Sequence, residues 1–124
     1  MPRWLPRVLA RIHRLAAEGK VQLTEKAFEE LRALPLGIST EDAYHILENL
    51  TAGECAGRLV SRETDEWLYV FKPRIAGIVL YVKVVLRADC VVISFHEEGG
   101  DDDQDQGAGQ EAERAKAAAR SRAA

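Results

Sequence analysis

The spacing of apolar residues changes once along this chain, near Gly57, and that change constrains its fold class more than any other feature. Before it, Trp4, Leu5, Val8, Leu9, Ile12, Leu15 and Ala16 recur at intervals of three and four, which predicts an amphipathic helix ended by Gly19. Thr24 is placed to cap a second helix with Ala27, Phe28, Leu31 and Leu34 on its apolar stripe, broken by Pro35 and Gly37. Ser39 or Thr40 caps a third, where Ala43, Ile46, Leu47 and Leu50 face inward and Glu41 and Asp42 suit the first turn. After Gly57 the period is two. Arg58–Arg62 and Glu66–Lys72 read as strands joined by Glu63-Thr64-Asp65, and Pro73 and Gly77 bracket a second connection. Ile78–Arg87 and Cys90–His96 follow, joined by Ala88-Asp89. Helices first and strands afterwards predict an α+β fold, with about three helices packed on one face of a four-stranded antiparallel sheet.

Composition sets the limits of that unit. From Gly99 onward no large apolar residue occurs, so residues 99–124 are expected to be a disordered acidic and Ala-rich tail, leaving residues 1–98 as one domain. The net charge of -3 is unevenly spread: residues 1–96 carry 13 basic and 12 acidic side chains, residues 97–124 carry 4 and 8. Arg3, Arg7, Arg11, Arg14 and Lys20 stand against Glu18 alone in the first twenty residues, so the acidic balance does not exclude a polyanionic partner. No apolar run approaches the ~18 residues of a membrane span. The arginine-rich start does not read as a secretory leader, and two cysteines set among apolar residues do not make a disulfide framework, so a cytoplasmic protein is expected.

The last hairpin carries the chemistry. With Ala88-Asp89 as a two-residue turn, Arg87 faces Cys90, Val85 faces Val92, Lys83 faces Ser94 and Tyr81 faces His96. Alternation then puts Tyr81, Lys83, Val85, Arg87, Cys90, Val92, Ser94 and His96 on one face, and Leu80, Val82, Val84, Leu86, Val91, Ile93 and Phe95 on the other, toward the helices. Polar residues are common on a solvated sheet face, but a phenol beside an imidazole and an ammonium is a less ordinary set. Cross-strand neighbours lie roughly 5 Å apart at Cβ, so these groups can meet one substrate. The chemistry that fits them is phosphodiester cleavage in RNA, where the substrate's 2′-hydroxyl is the nucleophile. His96 would be the general acid or base. Tyr81 would position the 2′-hydroxyl or give a proton, and Lys83, with Lys72, Arg74 or Arg87, would stabilise the charge that develops on phosphorus. Trp67, Tyr69 and Phe71 alternate on one face, where bases could stack but where core packing is the commoner role. His13 and His45 lie on helices, no His/Cys/Asp set has ligand spacing, and neither a metal nor a cofactor is called for. Arg3, Arg7, Arg11 and Arg14 allow a weaker reading, a nucleic-acid binder using the first helix and the aromatic strand, against the plainer one of a solvated helix face.

Over residues 21–98 the chain resembles the MqsR family of toxins. The segments that carry the resemblance are VQLTEKAFEEL, LPLGISTEDAYHILENLT, EWLYVFKPRIAG and LYVKVVLRADCVVISFHEE. The resemblance implies a RelE-like fold and a type II toxin–antitoxin toxin. It also implies sequence-selective mRNA cleavage that leaves a 2′,3′-cyclic phosphate and a 5′-hydroxyl, and neutralisation by a cognate antitoxin. Tyr81 matches the family's functional tyrosine, and Lys72 and Lys83 match basic positions. His96 stands where the family has a lysine, Leu68 where it has a glutamine, and Gly57 where it has a lysine, with Arg58 alongside to supply that charge. Arg58, Lys72, Arg74, Arg87 and Trp67 are the expected RNA contacts. Leu68 and Gly57 are also the residues that favour the alternative, a catalytically degenerate toxin fold that binds a protein or nucleic acid.

Overall fold

The computed structural model describes residues 1–99, so the expectation for the tail falls, from Gly100 on, outside the described residues. Three helices form where the capping residues allow. Helix α1 (Leu5–Ala17) has proline in its first turn, where the missing N–H costs nothing. It ends at Gly19 (φ +73°), which lets the Gly19 and Lys20 amides turn back to the carbonyls of Ala16 and Leu15. Helix α2 (Glu25–Ala33) starts where the Thr24 hydroxyl accepts the Ala27 amide at 3.1 Å, and it stops at Leu34, which Pro35 holds extended. Helix α3 (Thr40–Glu48) opens on a reciprocal cap: Ser39 accepts from the Asp42 amide at 3.1 Å, and Asp42 accepts from the Ser39 amide at 2.9 Å.

The strands are β1 (Val21–Leu23), β2 (Cys55–Val60), β3 (Trp67–Phe71), β4 (Arg74–Ile75), β5 (Ile78–Leu86) and β6 (Cys90–Glu97). The sheet order is β1-β6-β5-β3-β2, with β4 paired to the start of β5. The α+β class and the three helices are as expected, but the sheet is mixed rather than a four-stranded antiparallel meander. Strand β1 lies parallel to β6, Val21 beside Cys90 and Leu23 beside Val92. It was not anticipated because three residues are too few to show a period. Ala76 (φ 52°) and Gly77 (φ 84°) make the tight turn that folds the short β4 back on β5.

The helices cover one face of this sheet. Leu5, Ile12, Leu31 and Leu47 pack there against Phe71, Leu80, Val82, Val84, Cys90, Val92 and Phe95. The opposite face has a small apolar cluster of its own, in which Leu59, Leu68, Val70 and Val85 are joined by Tyr81, Val91 and Ile93.

The final hairpin departs from the expected register in its distal half. Leu86 pairs with Cys90, Val85 with Val91 and Val84 with Val92, so Arg87-Ala88-Asp89 is a three-residue turn closed by the Arg87 amide on the Asp89 carbonyl at 3.0 Å. A bulge at Ile93 then restores the count, and Lys83 faces Ser94 and Tyr81 faces His96 as the alternation requires. Cys90 and Val92 therefore belong to the helix-side core, and Val91 and Ile93 to the open face, the reverse of the sequence expectation. Arg87 leaves the strand altogether.

Beyond Leu23 the edge of β6 is closed by one more backbone bond and then by side chains instead of a strand. The Thr24 amide donates to the Val92 carbonyl at 3.1 Å, and Lys26 Nζ to the Ile93 carbonyl at 3.3 Å. Glu30 Oε1 accepts the Phe95 amide at 2.9 Å. Helix α2 thus completes the ladder that β1 begins.

Candidate active site on the open sheet face

Register alone assembles the site. Tyr81 on β5 is opposite His96 on β6, and the two rings stack with centroids 5.1 Å apart and planes 12° from parallel. On the other flank Phe71 pairs with Val82, so Lys72, the next residue of the chain, continues the row beside Tyr81. One row along the strand, Lys83 sits between Val70 on β3 and Ser94 on β6. Lys83 is 6 % exposed and Ser94 0 %, so both polar side chains are buried here.

The partners of these groups define what they can do. His96 Nδ1 is 2.7 Å from the Glu97 carbonyl, a contact that requires the proton on Nδ1 and leaves Nε2, which is buried, as the nitrogen with the lone pair. Lys72 Nζ is 3.0 Å from Glu98 Oε2, which ties the last described turn of the chain to the site. Lys26 Nζ reaches Ser94 Oγ at 3.1 Å while also meeting Glu30 at 3.1 Å, bringing a third lysine to the rim. Neither Lys26 nor Glu98 was singled out from the sequence. Lys26 arrives by helix α2 crossing the β6 edge, a tertiary contact that no local period encodes. Glu98 was legible in principle, being two residues beyond His96 and so of the same parity.

Of the remaining expected contacts, Arg74 flanks the site and Arg87, Arg58 and Trp67 lie elsewhere. Arg74 is exposed on β4, across from Val79, at the Tyr81 end of β5. Arg87 is six residues past Tyr81, roughly 20 Å along the strand at ordinary rise. There it makes a two-pronged contact with Glu66, at 2.9 and 2.7 Å. Those hydrogen bonds hold the Glu66 carboxyl down to about 2. Arg58 and Trp67 are on the helix side: Arg58 pairs with Tyr69, Trp67 shares the parity of Tyr69 and Phe71, and the Arg58 guanidinium lies 3.6 Å over the Trp67 ring. The aromatic trio is graded, with Phe71 and Tyr69 buried and Trp67 43 % exposed at the end of the strand.

Two departures from the family pattern acquire physical reasons. Gly57 follows the extra residue of a bulge between Cys55 and Gly57 and has φ +113°, a backbone state that L side chains rarely adopt. Leu68 is 8 % exposed in the open-face cluster, between Leu59 and Val85 in register, so an apolar contact fills the place of an amide.

A helix-backed sheet whose other face gathers a phenol, an imidazole and lysines defines a small α+β protein with a basic, titratable face. The chain belongs to the family described as "Motility quorum-sensing regulator, toxin of MqsA", which it matches over residues 7–97. It is therefore a toxin of the toxin–antitoxin kind, and three helices on one side of a sheet fit the RelE-like fold that the resemblance implies. No curated protein matches the chain. Among the described residues no helix is long and apolar enough to cross a membrane, and no three His, Cys, Asp or Glu side chains gather as a metal site.

Proposed function

We propose that this toxin is an mRNA endoribonuclease of type II systems that cleaves by attack of the substrate's own 2′-hydroxyl, and that a cognate antitoxin neutralises it. The observation that carries the reading is the stacked Tyr81–His96 pair with Lys72 and Lys83 in the adjoining positions of the sheet. In this reading His96 Nε2 takes the 2′-hydroxyl proton or protonates the departing 5′-oxygen, and the products are a 2′,3′-cyclic phosphate and a 5′-hydroxyl end. The Tyr81 phenol lies against the imidazole and orients the 2′-hydroxyl or carries the complementary proton. Lys83 stabilises the charge that develops on the phosphorane. Lys72 and Arg74 hold flanking phosphate. A reducing cytoplasm suits Cys55 and Cys90, both free thiols, with burial pushing Cys90 to about 12.

The test is induced expression in a bacterial host of the wild type beside Tyr81→Phe and His96→Ala, with cellular mRNA 5′ ends mapped. Growth arrest with new 5′-hydroxyl ends at a short recurring motif, lost in both variants while each still folds, is the expected result. Intact mRNA with soluble folded wild type would instead favour the non-catalytic binding module, the reading for which the apolar Leu68 on this face is the specific support.

A further inference from the structure

A second candidate site lies on the other side of the sheet. Between the first helix and the distal end of β3 and β5 is a groove of about 790 Å³, lined by Arg3, Trp4, Arg7, Arg11, Trp67 and Tyr69 among others. Its floor is aromatic: Trp4 and Tyr69 meet with ring centroids 5.4 Å apart, and the Arg58 guanidinium is 3.6 Å over Trp67 and 4.8 Å from Trp4. Its wall is a row of arginines one helical turn apart. Arg11 is fixed by donation to the Arg87 carbonyl. Arg3 and Arg7 are exposed, and among the described residues neither has a carboxylate partner. Two carboxylates, Asp65 and Glu66, also line the groove; Arg87 neutralises Glu66 from behind, and Asp65 stands against the three arginines.

We propose that this groove is a second RNA subsite, in which a base stacks on the Trp67–Arg58–Trp4 platform while neighbouring phosphates lie along Arg3 and Arg7. Large π-faces beside unneutralised guanidinium groups are the combination that single-stranded nucleic acid uses, since every base has a face to stack and every linkage a charge. Trp67 is 43 % exposed, with the Arg58 guanidinium over its ring. The groove opens opposite the Tyr81–His96 face, so a strand held here reaches the cleavage site by passing around the end of the sheet. This role rests on the RNA reading above.

The chain's two tryptophans, Trp4 and Trp67, both line this groove, so their fluorescence reports it alone. The experiment titrates the full-length His96→Ala protein with a short unstructured RNA oligonucleotide, at low and moderate salt. The same titration is run in Arg3→Glu/Arg7→Glu and in Trp67→Phe, both at exposed positions. Saturable quenching is expected, with at least a tenfold weaker Kd and a flatter salt dependence in the double arginine variant. RNA binding or wild-type cleavage that proceeds with no fluorescence change and an unaltered Kd in that variant overturns the subsite and leaves the nuclease reading standing. Quenching by RNA in a protein whose wild type cuts no RNA supports the subsite and overturns the nuclease reading. A double arginine variant that binds RNA normally but escapes its antitoxin overturns the subsite in favour of an acidic protein partner.

Discussion

Substituting Gly57 isolates the backbone strain of the β2 bulge from every other effect. At φ +113° a side chain meets an unfavourable backbone state, yet a Cβ built there has no heavy atom within 4 Å. The cost is therefore conformational and not steric: about 1–3 kcal/mol for a residue held in a sparsely populated region. Against it stands about 0.4–1 kcal/mol gained when alanine restricts the unfolded chain. A net loss of about 1–2 kcal/mol in Gly57→Ala follows, or about 4–16 °C in Tm for a domain of this size. Lysine carries the same backbone penalty, so Gly57→Lys is expected to fall by a similar amount although it restores the family's residue. Gly53 supplies the control, since its φ is not positive and its Cβ would lie 3.9 Å from Thr51 Oγ1. Thermal and urea unfolding of the three variants beside wild type is the assay. Equal Tm for Gly57→Ala and Gly53→Ala would refute the account of the bulge and reopen the question of why this chain lacks the lysine.

Three further outcomes are expected. His96→Ala lowers single-turnover RNA cleavage by ~10²–10⁴, the usual worth of one acid–base group; an unchanged rate in folded protein would remove His96 from the reaction. Glu66, held near 2 by hydrogen bonds from Arg87 and Thr64 against an ordinary 4.5, contributes stability that is present above pH 4.5 and lost as pH falls through about 2. Wild type should therefore unfold at a slightly higher temperature than Glu66→Gln at neutral pH and approach it in acid; a gap as large at pH 2 as at neutral pH would contradict this. Glu30→Ala deprives the Phe95 amide of its acceptor, a loss of about 1–3 kcal/mol for a partly buried donor. Hydrogen exchange at Phe95 should quicken by about tenfold or more, at 1.4 kcal/mol per decade, and an unchanged rate would mean that the helix does not seal this edge.

The helices were legible because each carries its own punctuation: Gly19, Thr24 with Pro35, and Ser39 with Asp42 all act within a few residues of chain. The Tyr81–His96 and Lys83–Ser94 pairs were legible because alternation along β5 and β6 survives near the open end of the hairpin. Its distal half was not, since a two-residue and a three-residue turn are hard to tell apart in Arg87-Ala88-Asp89. Strand β1 is read only through β6, its parallel partner far along the chain. The assignment of Arg58 and Trp67 to the helix side depends on how β3 meets β5, which period two within β3 does not fix. Arg87 looked like a phosphate ligand because its carboxylate partner, Glu66, is 21 residues away.

The added residue in the 87–89 turn and the bulge at Ile93 cancel, so the end of the hairpin that holds Tyr81 and His96 keeps its pairing. Either change alone would slide one strand by a residue and turn His96 to the helix side. The two irregularities are in that sense one heritable trait. With the residues between Lys83 and Ser94 unchanged in number, a lineage that closes this turn with two residues must also straighten β6, and alignments of relatives should carry that exchange without a gap.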